Sequence, residues 1–274
     1  MKKAIVIGSG SIAQKHIKIL ISLEYEVYVY SQSNKNFFNN SLKIKKLFSL
    51  KNIKNFEFAI IANKTSKHLE ILKILIKKKI HIYCEKPIFH KKFNYKLLRQ
   101  KLKKNKIIFH SGYHLHNDEK IKYIKKKLNI SEVKSFQASV GYDINKWRKG
   151  GVLNNSYYVN YKLGGGVIFE LIHEINLINL LFGKITKIKS LKSKSLNYNC
   201  EDAVASAILT KNKIIGTLYQ DMFSKIFFRN LKIVTNKYYI VIDLIKNEIL
   251  INNKLKKFIN NNNHFDLLKK NIIS

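Results

Sequence analysis

Near its N-terminus the chain reads Ala4-Ile5-Val6-Ile7-Gly8-Ser9-Gly10-Ser11-Ile12-Ala13, an apolar run that breaks at two closely spaced glycines and then a small residue. The run predicts a strand. Gly8 permits the tight turn that follows it, Gly10 lets backbone come close to a bound phosphate, and Ala13 lets a helix pack near the strand. Ala13, Ile17, Leu20 and Ile21 recur at helical spacing, which predicts a helix over residues 12–23. Unsatisfied N–H groups and the helix dipole favour an anion at that helix N-terminus. Gly8, Gly10, Ser11, Ile12 and Ala13 are therefore expected to cradle the pyrophosphate of a dinucleotide. On its own, such a glycine pattern is also compatible with a turn of purely structural use.

Outward from this turn, the first 112 residues alternate between strand and helix patterns. Strands are expected at 3–7, 26–30, 57–62, 80–84 and 106–110, and helices at 12–23, 66–78 and 91–104. That alternation predicts an α/β domain, residues 1–112, built on a doubly wound parallel sheet. After Tyr113 the pattern changes to a helix at 117–128, a strand at 133–142 and an irregular stretch at 143–163. Gly164-Gly165-Gly166 and a helix through Leu181 follow, then strands at 187–196, 203–210, 213–222, 226–235 and 238–243. Residues 113–274 are thus expected to form an α+β domain with a largely antiparallel open sheet, and residues 260–263 a loop before a short terminal helix.

Composition narrows the function classes. The net charge is +35, from 52 Lys and Arg against 17 Asp and Glu. Clustered cations of this number would fit a nucleic-acid binder. Yet Arg99, Arg148 and Arg229 are the only arginines, and the lysines run along the whole chain. Arginine is the residue suited to bidentate phosphate and base contacts. Lys, Asn, Ile, Phe and Tyr share A/T-rich codons, so an AT-biased genome accounts for the pattern, and no specific nucleic-acid partner is expected. No run of about twenty apolar residues occurs, so no membrane span is expected. Cys84 and Cys200 are too few for a disulfide framework or a zinc site. They are expected to be free thiols of a cytoplasmic protein, and no metal site is expected.

Further landmarks fall in order: His16 after the glycine turn, Asn63-Lys64-Thr65-Ser66-Lys67-His68, Glu85-Lys86-Pro87, Trp147-Arg148, and Gly164-Gly165-Gly166 leading to Glu170, His173 and Asn176. In this combination and spacing, over nearly the whole chain, the sequence resembles the Gfo/Idh/MocA family of sugar and cyclitol oxidoreductases. The Trp-Arg element resembles a subgroup associated with bacterial surface-polysaccharide sugars. The resemblance implies a Rossmann domain that binds NAD or NADP and a second domain for substrate binding and homo-oligomer contacts. It also implies an active site between the two, taking a sugar, sugar nucleotide or cyclitol. Lys86 would contact the reacting oxygen and the nicotinamide ribose, and His173 would be the acid/base.

Residue chemistry agrees with those roles. Glu85 and Lys86 follow an expected parallel strand, at the end where open α/β sheets place ligands. Pro87 is the only proline, as expected of a rigid turn, cis or trans. His173 sits in a mostly apolar helix, where a near-neutral imidazole suits hydroxyl deprotonation or serves as a satisfied core group. One continuous helix would place Glu170, His173 and Asn176 on one face. Asn63, His68 and Glu85 are further cofactor candidates. Trp147, Arg148, Tyr157, Glu170 and Asn176 are substrate candidates, with Lys162 a lesser one. No carboxylate closes the second strand, where Asp or Glu would hold the ribose of NAD. Ser31 and Ser33 stand there instead, followed by Lys35, which favours NADP slightly over NAD. Asn176 and Glu170 stand where the family has Asp, which leaves open a non-catalytic dinucleotide-binding or regulatory protein.

Overall fold

The computed structural model describes residues 2–32, 44–147 and 156–258, together with Asp266, Lys269 and Ile272. The chain divides into two compact units, Met1–Gly112 with His264–Ser274, and Tyr113–Asn263.

In the first unit, strands β1 (Lys3–Ile7), β2 (Glu26–Tyr30), β3 (Ile44–Leu47), β4 (Phe58–Ile61), β5 (His81–Cys84) and β6 (Phe109–Ser111) form a sheet in the order β3-β2-β1-β4-β5-β6. Every pairing among them is parallel. This is the doubly wound order, which reverses direction between β1 and β4. Helices α1 (Ser11–Ser22), α2 (Thr65–Lys77) and α3 (Tyr95–Lys104) cover it. Successive strand residues feed opposite faces. Ala4, Val6, Val27 and Ile60 pack with Ala13, Ile17 and Leu20 of α1, while Ile5, Ile7, Ile61 and Ile82 pack with Leu72 and Leu75 of α2 and Leu98 of α3. Burial on both faces explains why β1 and β4 read as unbroken apolar runs.

Strand β3 was not expected. Its Lys45 and Lys46 are exposed and only its ends are half-buried, so it carries no apolar alternation, as befits a charged edge strand. Helix α3 begins at Tyr95, later than the expected residue 91, because the Asn94 side chain caps it by accepting from Leu97 N.

In the second unit, β7 (Val133–Asp143), β8 (Ile185–Ser193), β9 (Ala203–Thr210), β10 (Ile215–Asp221), β11 (Phe223–Thr235), β12 (Tyr239–Asp243), β13 (Glu248–Ile251) and β14 (Lys254–Lys257) form a sheet ordered β14-β13-β12-β11-β7-β10-β9-β8. Within this second sheet, β7 and β10 alone pair in parallel among the described strands. Helices α4 (Glu119–Lys127) and α7 (His173–Phe182) lie over one face. Their Ile121, Ile124, Leu177, Ile178 and Leu181 meet Phe136, Leu218, Leu231 and Ile242 in the core, and Phe182 stacks on Phe136 at 4.4 Å. A short α5 (Ile144–Trp147) and α6 (Val167–Glu170) complete the described helices of this unit. The hairpin β13–β14 was not expected either; Asn252 and Asn253 turn it with positive φ at both positions, as a two-residue hairpin turn requires. Among the described residues, no single helix is long and apolar enough to cross a membrane.

Candidate active site

The first unit gathers its chemistry at the carboxyl edge of its sheet. Gly8 leaves β1 with φ +125°, and a Cβ there would stand 2.5 Å from Ala62 O, so only glycine fits. Gly10 N-caps α1 with nothing within 4 Å of its Cβ direction and no side chain satisfying the helix N–H groups. Ser11 and Ile12 form the first helical turn, and Ala13 is fully buried against the sheet. The helix terminus thus has no side-chain cap, which leaves its N–H groups for an anion. At the end of β2, Ser31 Oγ donates to Ser9 Oγ at 2.8 Å, tying the two loops together. Ser33 lies outside the described residues. Past β4, the Asn63 side-chain oxygen is buried and has no hydrogen-bond partner among the described residues. An orphaned acceptor beside this turn fits a ligand that donates hydrogen bonds, and the residues present accommodate a dinucleotide.

His68 is a buried support rather than an exposed ligand. Its Nε2 bonds Asn63 O at 3.1 Å, and Nδ1 lies 3.6 Å from Cys84 Sγ. Burial holds its pKa below the usual imidazole range, against the opposing pull of backbone hydrogen bonds. Glu85 is also turned inward: His16 Nε2 donates to its Oε1 at 2.7 Å, in the interior. Burial pushes the Glu85 carboxyl up, but the His16 bond and charge together with Lys86 overcome this and hold it below the usual range. The pair connects α1, directly after the glycine turn, to the turn bearing Lys86. Lys86 is half-buried, its backbone N–H meets Glu85 Oε2 at 3.2 Å, and the Lys86–Pro87 bond is cis.

In the second unit, Gly166 leads into α6 with φ +109°, where a Cβ would strike Glu201 Oε1 at 2.6 Å. The expected single helix through Leu181 is broken. Leu171 leaves helical geometry at φ −105°, ψ 33°, and its carbonyl accepts from Gln220 Nε2 at 2.7 Å. Glu170 closes α6 half-buried and His173 starts α7, so the two do not share a helix face; His173 and Asn176 do. His173 is buried, with the His114 ring 4.2 Å and the Tyr113 ring 5.9 Å from its own, both edge-on. Asn176 Oδ1 accepts from His116 Nε2. Next to His173, Glu174 is buried and paired with Arg229 of β11. Tyr157 sits half-buried in a short 3-10 turn against Tyr158, and Lys162 is exposed. Trp147 closes α5, and Arg148 lies outside the described residues.

Sequence reasoning missed Tyr113, His114 and His116, and quoted His16 without assigning it a role. Two histidines two residues apart at the start of the second domain were the available signal. Both cysteines are buried and free. Burial lifts Cys84 well above the usual thiol range and Cys200 to about 12, the latter with help from Glu201 and Asp202. Among the described residues, no cluster of three His, Cys, Asp or Glu is placed to hold a metal.

The parallel order and the glycine turn at the switch point define a Rossmann-type unit. Residues 2–113 match the family model GFO_IDH_MocA, the oxidoreductase family with an NAD-binding Rossmann fold. No curated protein sequence matches the chain. Solved structures share its fold. UDP-N-acetylglucosamine 3-dehydrogenase GnnA from Acidithiobacillus ferrooxidans superposes with a TM-score of 0.80 at 15% identity, covering 99% of this chain and 86% of that one. Levoglucosan dehydrogenase in complex with NADH gives 0.77 at 15% identity, over 91% and 75%. The WlbA dehydrogenase from Chromobacterium violaceum, bound to NADH and UDP-GlcNAcA, gives 0.78 at 14%, over 98% and 81%.

Proposed function

We propose that this chain is a cytoplasmic NAD(P)-dependent oxidoreductase that interconverts a secondary hydroxyl and a ketone on a sugar, sugar nucleotide or cyclitol. The carrying observation is that the glycine turn, Asn63 and Glu85-Lys86-Pro87 follow β1, β4 and β5, three adjacent parallel strands, and so share one sheet edge. GnnA, levoglucosan dehydrogenase and WlbA, by their names and bound molecules, support the sugar class.

Gly8, Gly10, Ser11, Ile12 and Ala13 hold the pyrophosphate, while Ser31, Ser33, Asn63, Glu85 and Lys86 contact or shape the remainder of the cofactor site. The bound nicotinamide supplies a hydride acceptor or donor. Lys86 stabilises negative charge developing on the substrate oxygen, and His173 removes the hydroxyl proton during oxidation or returns it during reduction. His68 acts from beneath, by fixing the Asn63 backbone. Trp147, Arg148, Tyr157, Glu170 and Asn176 contribute to sugar recognition. With Ser31 and Ser33 in place of a carboxylate, NADP is bound at least as well as NAD; fluorescence titration with both reduced cofactors checks this, and clearly tighter NADH refutes it.

A homo-oligomer is part of the same reading. The face of the second sheet away from the core carries Leu191, Ala205 and Tyr219 in one cross-strand row, with Leu191 81% exposed. Light scattering should show a multimer that Leu191→Lys weakens.

Steady-state assays with both cofactors over sugars, sugar nucleotides and inositols test the activity. Cofactor binding without turnover on any of them favours a non-catalytic dinucleotide-binding protein, the reading that Asn176 leaves open.

A further inference from the structure

Asn176 has a matched partner. The 3-10 turn His114–Asn117 meets the start of α7 through two contacts, His114 against His173 and His116 with Asn176. His173 and Asn176 lie three residues apart, nearly one helical turn, so neighbouring residues of one turn address neighbouring residues of one helix face. The turn is anchored on both sides. Leu115 is in the core, and Asp118 caps α4 by accepting from Lys120 N at 2.9 Å and Ile121 N at 3.3 Å. The Tyr113 ring stacks over His116 at 6.1 Å.

An amide oxygen only accepts, so this bond requires hydrogen on His116 Nε2. With the amide in this orientation, the bond sets the ring tautomer. With Oδ1 engaged, Asn176 turns its Nδ2 hydrogens to other partners. We infer that His116 is a positioning residue that holds the Asn176 amide as a fixed hydrogen-bond donor one turn from His173, so that Asn176 recognises a substrate oxygen acting as acceptor. A carboxylate at this place would instead accept from a substrate hydroxyl. On this view Asn176 and His116 form a built pair, and Asn176 is not a worn remnant of an aspartate. The inference rests on the reading of His173 as a substrate-facing residue.

The pair is tested first without substrate or cofactor. In protein labelled with ¹⁵N-histidine, long-range ¹H–¹⁵N spectra, assigned by loss of one ring in His116→Gln, should show His116 protonated on Nε2 at neutral pH. Asn176→Ala should shift that signal and mix the tautomers. An Nδ1–H form, or a signal unmoved by Asn176→Ala, overturns the inference whether or not any substrate is turned over. Kinetics then test the role. His116→Gln, whose amide still donates, should keep kcat/KM within about threefold of wild type, whereas His116→Leu raises KM about tenfold with a smaller change in kcat, the size of one hydrogen bond. Asn176→Asp should lower kcat/KM about tenfold on the same substrate, since the donor is lost. A gain in kcat/KM on restoring the acid overturns the inference.

Discussion

Lys86 and His173 are each asked to act when charge builds on one substrate oxygen, so their removal should fall on turnover. Lys86→Ala and His173→Ala are expected to lower kcat by roughly 10²- to 10⁴-fold, the span of a positioned acid or base, with cofactor affinity changed far less. Turnover that survives both substitutions removes them from the reaction. Glu85 makes a different prediction, one of stability. Its carboxyl is held low in the folded protein despite burial, by His16 and Lys86. A depressed carboxyl stabilises the fold above its unfolded pKa, near 4.5, and that contribution is lost as pH falls below it through the folded value. Urea midpoints taken from about pH 6 to about pH 3.5 should therefore fall more steeply for wild type than for Glu85→Gln. Parallel slopes in the two proteins would show that the His16 pairing carries no pH-linked stability. At this scale the sequence was informative where a residue is required by backbone geometry, as at Gly8. It was silent where a long-range partner decides the role, as for His16 with Glu85 and His116 with Asn176, since those pairs lie 69 and 60 positions apart.

Among elements, α7 depends on a buried ion pair. Glu174 lies beside His173 and takes its Oε1 bond from Arg229 Nε on β11, while its Oε2 has no hydrogen-bond partner among the described residues. Arg229→Leu would strand this carboxylate in the core, at a cost of about 3–5 kcal/mol. The double variant Glu174→Leu/Arg229→Leu should recover most of that loss, because a well-packed apolar pair is often as stable as the ions it replaces. Equilibrium urea unfolding checks both; a single variant within about 1 kcal/mol of wild type would mean that α7 does not need the pair. The buried strands and amphipathic helices were legible because their periodicity is their packing. Strand β3 was hidden by its edge lysines and β13–β14 by a short Asn-rich hairpin, although two asparagines between apolar residues are themselves a turn signal. The interruption at Leu171 was not legible. Apolar residues continue through it, and the break is set by tertiary contacts, one of them the Gln220 amide reaching the Leu171 carbonyl.

Across the whole molecule, the charge of +35 acts as a field rather than as a site. Several carboxylates are already engaged: Glu26 with Lys45 and Lys3, Glu57 with Lys2, Asp143 with Lys225, Asp118 with Lys120. With 52 basic side chains against 17 acidic ones, most lysines have no acidic partner to meet and repel one another through solvent. Raising ionic strength from about 0.01 M to about 0.15 M shortens the screening length from about 30 Å to about 8 Å, which removes most of that repulsion. The melting temperature should therefore rise over this range, where a protein held by surface ion pairs would lose stability. The same field attracts any polyanion, so random duplex and single-stranded DNA should be retained at the low end and released toward the high end, without sequence preference. Scanning fluorimetry and fluorescence anisotropy in one salt series measure both effects. Sequence-selective binding that persists at about 0.2 M salt would require base contacts, and the scattered lysines could no longer be ascribed to codon usage.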